Sequence, residues 1–290
     1  MNIQRILVPV DFLPASEYAI EYGSYLAKAF SAEIFLLHIL ESEQMYPPEW
    51  FGSKNQNADS RFIRKKVSEK LGEHSKNIKK KYGIVSKTIL TIGKPATKIA
   101  ETVLERSINL IVMGTHGASG FEEFFIGHTA HKVVNISPCP VITLREGFTL
   151  SAGIKSIVLP IDESLHSRQK VQNVISVASK CKSIVHILGV IQSKDKSEVA
   201  KFNIKVNSVE KAVKKAGLVC TRKVIKGSNV ALEAMNYAEE VNAELLAIMT
   251  DHESNMTGTF MGAFAQQIIN HSIVPVLSIK PAAGFFSYPL

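Results

Sequence analysis

Two tandem α/β domains, each an open sandwich on a five-stranded parallel sheet, are predicted by three observations on this 290-residue sequence. The chain repeats itself, strand-like apolar runs alternate with segments of helical spacing, and each repeat closes on a proline-led apolar strand. "QRILVPVDFLPAS" at 4–16 is answered by "KSIVLPIDESLHS" at 155–167, each an apolar run ending in proline, an aliphatic residue and aspartate. "IVMGTHG" is answered by "LAIMTDH", and "GHTAHKVVNISPCPVITL" by "GAFAQQIINHSIVPVLSI". The spacing from glycine to proline is the same in both, Gly127 to Pro140 and Gly262 to Pro275.

In the first repeat the strand runs are Arg5 to Val10, Ile34 to Ile39, Lys87 to Thr91, Leu110 to Met113 and Val141 to Leu144. Between them, helical apolar spacing predicts helices over Ser16 to Phe30, within Arg61 to Tyr82, over Thr97 to Arg106 and over Thr129 to Ile136. Strands alternating with helices imply parallel crossovers. The second repeat reads the same way, with strands near Ile157, over Ser183 to Ile191, Val219 to Val224, Leu245 to Met249 and Val274 to Ser278. The boundary falls in "REGFTLSAGIK" at 145–155, where Gly, Ser and Thr accumulate, so the domains are expected at 1–147 and 152–281.

With 46% hydrophobic and 21% charged residues, the chain has apolar content for one or two ordinary cores. No stretch approaches the ~20 apolar residues of a membrane span. The opening "MNIQRILVPVDF" shows no cleavage-site pattern, and the expected location is cytoplasmic. Cys139, Cys181 and Cys220 are odd in number and lack C-x-x-C spacing, so they are expected to be reduced and buried. A net charge of +8 raises nucleic acid as a partner. The lysines, such as Lys79 to Lys81 and Lys211, Lys214 and Lys215, fall on helical segments and read as dispersed, solvated faces. With no helix-turn-helix or aromatic-basic interleaving, nucleic acid is not expected.

Gly114, Gly117 and Gly127 surround an otherwise aromatic and acidic segment, and glycine weakens regular structure unless backbone geometry requires it. In open parallel sheets, ligands bind beyond the carboxyl ends of the strands where strand order reverses, which singles out the turns after strands one and four. A polyphosphate there needs inward N–H groups without interfering Cβ atoms and gains from a helix amino terminus. Asp11 would face the same crevice and accept hydrogen bonds from ribose hydroxyls, and Gly93 in "TIGKPA" lies at the exit of strand three. The opposing reading is that loop glycines serve turns alone. His116, His128 and His131 lack a matching carboxylate or thiolate set, so no metal site is expected. His38 and His186 read as equivalent core histidines of the second strands. With neither a G-x-S-x-G elbow nor a P-loop, no catalytic residue is assigned, and any hydrolysis of a bound nucleotide should be slow.

The three glycines match G-x2-G-x9-G-[S/T], and with "ILVPVDF", "LLHIL", "GKPATKIA" and "CPVITL" the chain resembles the universal stress protein A family. The resemblance covers the whole chain as two copies. It implies a Rossmann-type fold of the adenine nucleotide alpha hydrolase-like class that binds ATP, or AMP or ADP, with or without Mg. The positions it implies for the nucleotide are Pro9, Val10 and Asp11, then Ile39, then Met113, Gly114, His116, Gly117, Gly127, His128, Thr129 and Ala130. In the first repeat His128 stands where the family carries a hydroxyl, and Thr129, displaced by one, is expected to cap the following helix. In the second repeat Thr250 and Glu253 read as standing in place of Gly114 and Gly117, with a loop one residue shorter, so that repeat is not expected to bind ATP in the family manner.

The resemblance further implies that the fifth strands, "PVITL" and "PVLSI", join the two repeats, since these apolar edges would otherwise be exposed. The expected function is a cytoplasmic, nucleotide-responsive signalling module of the stress response. The alternatives are a slow ATPase or phosphotransferase, and a nucleotide-free scaffold. The expected partners are a second copy of the chain and an unidentified protein, with no membrane.

Overall fold

The computed structural model describes residues 2–41, 60–115, 127–148, 150, 153–250 and 261–281. In the first half the chain runs β1 (Arg5–Pro9), α1 (Pro14–Phe30), β2 (Glu33–Leu40), α2 (Ser60–Tyr82), β3 (Ser86–Ile92), α3 (Pro95–Glu105), β4 (Leu110–Gly114), α4 (His128–Ile136) and β5 (Val141–Leu144). The second half runs β6 (Ser156–Ile161), a 3-10 turn (Leu165–Arg168), α5 (Val171–Cys181), β7 (Ile184–Ile191), α6 (Lys196–Lys215), β8 (Cys220–Lys226), α7 (Val230–Glu240), β9 (Leu245–Met249), α8 (Ala263–His271) and β10 (Val276–Ile279). Each strand and helix predicted in the first half is present, with ends shifted by one or two residues.

All ten strands form one sheet in the order β3-β2-β1-β4-β5-β10-β9-β6-β7-β8. Pairing is parallel within each half. At the centre β5 and β10 run antiparallel, with Thr143 opposite Val276 and Ile142 opposite Leu277. The expected junction of the fifth strands is therefore present. Two apolar cores lie on the two faces of the sheet, and each continues through both halves. One holds Val8, Leu36 and Leu110 together with Leu159, Ile187 and Leu277; the other holds Leu7, Leu37 and Ile111 together with Val158, Leu188 and Leu246. Side chains of α1 add polar ties across the halves. Tyr22 Oη donates to the Glu244 carbonyl at 2.9 Å, and the Tyr25 hydroxyl accepts from the Ile154 N–H at 3.3 Å.

The two halves differ in how closely their first helix lies on the sheet. A Cβ on Gly23 would sit 2.8 Å from Val8 Cγ2, and one on Gly114 would sit 2.7 Å from Ala15 Cβ and 2.9 Å from the Ala15 backbone. Those two glycines let α1 approach β1 and β4, and Pro14 at the first turn fixes where the helix starts. In the second half, buried Val174 and Met249 stand at the equivalent positions, and the chain enters α5 through the 3-10 turn.

Charge is concentrated where dispersal was expected. Helix α2 carries nine basic against two acidic residues, a net of +7 in a chain whose total is +8. The three cysteines are free, but only Cys181 is buried; Cys139 and Cys220 are partly exposed, which corrects the expectation for them. Among the described residues, no helix is long and apolar enough to cross a membrane, and no group of three or more His, Cys, Asp or Glu could hold a metal ion.

Candidate functional site

Strand order β2-β1-β4 sets three carboxyl ends side by side and brings Pro9, Val10, Asp11, Ile39, Met113 and Gly114 to one edge of the sheet. The last ladder bond of β1 runs from the Val10 N–H to the Leu37 carbonyl at 2.8 Å. The chain then turns sharply. Phe12 adopts a left-handed conformation with φ of 65°, and the Asp11 carboxylate accepts the Leu13 N–H at 3.0 Å. Asp11 remains exposed.

Beneath this turn lies buried His38, whose Nδ1 is 2.6 Å from the Val10 carbonyl. Burial lowers its pKa, opposed by the Val10 bond and the Asp11 charge, so the ring is neutral near pH 7 and Nδ1–H is the donor. Phe12 packs 4.7 Å from the His38 ring and stacks 5.9 Å from His74 of α2, with Lys70 Nζ 5.6 Å from its centroid. His74 Nε2 meets Glu17 of α1 at 3.3 Å.

At the end of β4, Met113 is buried and Thr115 N–H donates to the Leu144 carbonyl at 2.9 Å. The Gly127 N–H donates to the Thr115 carbonyl, which returns the chain to β4 and makes Gly127 the N-cap residue of α4. His128 opens the helix and is exposed, Thr129 is half-buried and Ala130 is buried. The cap expected of Thr129 is absent: Thr129 lies inside the first turn, and among the described residues no side chain caps α4. First-turn N–H groups of a helix have no intrahelical acceptor, so the amino end of α4 offers donors and a positive dipole end at this edge.

Gly114 has a reason independent of any phosphate, because Ala15 leaves no room for a side chain there. Gly93 has a φ of 139°, which favours glycine, and its N–H donates to Leu40 at 3.1 Å. It lies one strand further out than the other candidates, at the end of β3. His116 and Gly117 lie outside the described residues.

The second half uses the equivalent turn differently. Strand register aligns Pro160 with Pro9, and hence Asp162 with Asp11. Asp162 is buried. Its carboxylate accepts the Ser164 N–H at 3.0 Å and the Ser164 hydroxyl at 2.6 Å, and its own N–H donates to Ser167 Oγ at 2.9 Å. Lys205 of α6 donates to the carbonyls of Asp162 at 2.8 Å and Ser164 at 2.5 Å. Buried Lys170 donates to the Ser167 carbonyl at 2.9 Å. Burial pulls Lys170 down to about 8, against the attraction of Asp162. Although burial raises the Asp162 pKa, Lys170 and the Ser164 bonds hold the carboxyl below its ordinary range.

Two repeat alignments are corrected by these bonds. Thr250 N–H donates to the Ile279 carbonyl and Gly262 N–H to the Thr250 carbonyl, both at 2.9 Å, repeating the pattern of Thr115 and Gly127. Thr250 is thus the counterpart of Thr115, Met249 stands where Gly114 stands, and the two loops are equal in length. Glu253 lies outside the described residues. His186 pairs with Val158 at the level where Phe35 pairs with Leu7, so the counterpart of His38 is Gly189 and not His186. His38 is the buried, hydrogen-bonded core histidine expected, whereas His186 is only half-buried, and the engagement of Lys170 and Lys205 was not legible in the sequence. Counting from the two Pro-x-Asp turns along paired strands would have exposed the Gly189 match.

Comparison with known proteins gives a consistent result. The profile of the universal stress protein family matches residues 2–145 and again 153–280. Universal stress protein YxiE of Bacillus subtilis is 31% identical over 150 residues, spanning 49% of this chain and 98% of its own length. A universal stress protein from Archaeoglobus fulgidus superposes on 96% of this chain and 97% of its own, with a TM-score of 0.73 at 20% identity, a likeness of fold. Another, solved in complex with cAMP, aligns with 44% of this chain and 98% of its own, at 18% identity and a TM-score of 0.37.

Proposed function

Because this chain belongs to the universal stress protein family, with one copy of the fold in each half, we propose that its first half binds ATP or a related adenine nucleotide. The observation that carries this reading is the bond from Gly127 to Thr115, which draws the amino end of α4 to the strand edge where Asp11 is exposed. The α4 amides and the loop ending at Gly127, with His116, Gly117, His128, Thr129 and Ala130, would take the phosphates, with Mg where the nucleotide carries it. Asp11 would accept ribose hydroxyls, and Pro9, Val10, Ile39, Met113, Gly114 and Gly93 would wall the crevice.

The domain of residues 1–147 is then the nucleotide-bearing one. The domain of 152–281 carries none in that manner, since Asp162 is already bonded within its own turn. Occupancy would act as a signal, read by a second copy or another protein in the cytoplasm, with any turnover slow. Mass spectrometry of nucleotide co-purifying with the full chain, followed by titration, tests this. One equivalent of adenine nucleotide per chain, lost in Asp11→Ala and kept in Asp162→Ala, is expected; no binding at millimolar ATP, or two equivalents, would overturn it.

The charge of α2 favours a second reading, a surface for a polyanion. A duplex mobility shift abolished by moderate salt supports it, and no shift at low salt removes it.

A further inference from the structure

We infer that His38 is the positioning residue of the nucleotide crevice, holding the Val10 carbonyl and the Phe12 ring so that the intervening Asp11 stays at the surface. The inference rests on the reading that the first half binds nucleotide.

Asp11 lies between two residues that His38 touches. On one side the Nδ1–H donates to Val10 at 2.6 Å; on the other the ring packs 4.7 Å from Phe12. Phe12 is held in a left-handed conformation that a bulky residue adopts only when its surroundings impose it. Among the described residues, these surroundings include His38 from β2 and His74 and Lys70 from α2. Because the donor must be Nδ1–H, the imidazole is fixed in one tautomer. Among the described residues, Asp11 of the turn is the charge that acts on the imidazole, while His74 and Lys70 of α2, and Glu17 of α1 through His74, lie around the Phe12 ring.

The second half shows what the same turn does without this side chain. Gly189 stands at the counterpart of His38, and the space beside it is taken by Phe202, Val206 and Val224, whose atoms lie 3.1 to 3.2 Å from where a Cβ would be. Glu163 replaces Phe12. The turn contracts into a 3-10 helix, Asp162 turns inward onto Ser164, and Lys205 takes the carbonyls. One repeat keeps its aspartate exposed over a histidine, and the other folds it away over a glycine.

The test uses the full chain with three substitutions. Asn at 38 places an amide N–H where Nδ1–H was, Leu fills the space without a donor, and Gln moves the donor outward. His38→Leu and His38→Gln are expected to weaken ATP binding about tenfold, equivalent to about 1.4 kcal/mol, while His38→Asn stays within about threefold of the native chain. Amide exchange at 11–13 should quicken in the Leu and Gln variants and not in the Asn variant, with or without nucleotide. The 15N spectrum of the native protein near pH 7 should show the Nδ1-protonated neutral ring. Native affinity and native exchange in His38→Leu, or an Nε2-protonated ring, would overturn the inference. If the native chain binds no nucleotide, the functional reading fails, and exchange at 11–13 still decides the role of His38. If His38→Leu does not fold, the Asn and Gln pair decides it.

Discussion

The turn after β1 and the turn after β6 start from one pattern, proline, an aliphatic residue and aspartate, yet they use the aspartate in opposite ways. Asp11 is exposed and bonds one backbone amide; Asp162 is buried among Ser164, Ser167, Lys170 and Lys205. The sheet, its strand order and its registers are the same in both halves, so the fold does not choose between these states. The choice is made by side chains arriving from neighbouring elements, His38 against Gly189 in the second strand, and the lysines of the second half. An aspartate at the strand edge can thus be folded away without altering a single strand.

The largest test of this contrast removes a buried charge partner. Lys170→Ala leaves Asp162 buried with its main compensating cation gone and is expected to lower stability by about 3–5 kcal/mol in urea unfolding. Asp11→Ala, at an exposed position, should lower it by less than about 1 kcal/mol. Equal effects would mean that the two turns are not energetically different. Next, the close approach of α1 in the first half alone predicts that Gly114→Ala destabilises by about 1–3 kcal/mol, because the new Cβ meets the Ala15 backbone. Met249→Ala, at the counterpart position, leaves space instead, and its loss should come from the vacated volume. A native midpoint for Gly114→Ala would contradict the packing difference.

The pH dependence follows from Lys170, which is pulled down to about 8 in the fold while an unfolded lysine titrates near 10.5. Between those values the unfolded chain binds the extra proton, so this residue makes stability rise with pH across about 8 to 10.5 and gives no slope below it. The rise, up to about 3 kcal/mol, should vanish in Lys170→Met when the two unfolding profiles are subtracted. The smallest effect is expected where the halves are alike. Thr143 and Ser278 are counterparts at the β5–β10 seam, and their buried hydroxyls have no hydrogen-bond partner among the described residues. Thr143→Val should be neutral or stabilising by about 1 kcal/mol, read as a small upward shift of the thermal midpoint.

The strands and helices were legible because alternating apolar runs and helical spacing are local signals, and the β5–β10 seam because two apolar edges needed cover. The reason for Gly114 was not, since the atoms that exclude its side chain belong to Ala15, nearly a hundred residues away in sequence. Placing Thr250 opposite Gly114 makes the second loop look one residue short, whereas the bonds from Thr250 to Ile279 and from Gly262 to Thr250 set it opposite Thr115. His186 was matched to His38 by identity alone, although a strand shift of three residues separates them. The 3-10 turn was hidden because Leu165 occupies the place of Pro14, whose ring starts α1. The concentration of charge on α2 is countable in the sequence, but helical spacing alone does not distinguish one strongly basic helix from several solvated faces.

The antiparallel seam between β5 and β10 makes the chain a twofold object whose two parts are no longer the same. A pair of identical subunits would look alike to a visitor arriving from either side. Here one approach leads to the open turn and the other to the closed one. Any molecule that spans the seam therefore has a single way round in which to sit, and a complex built on this chain inherits a direction.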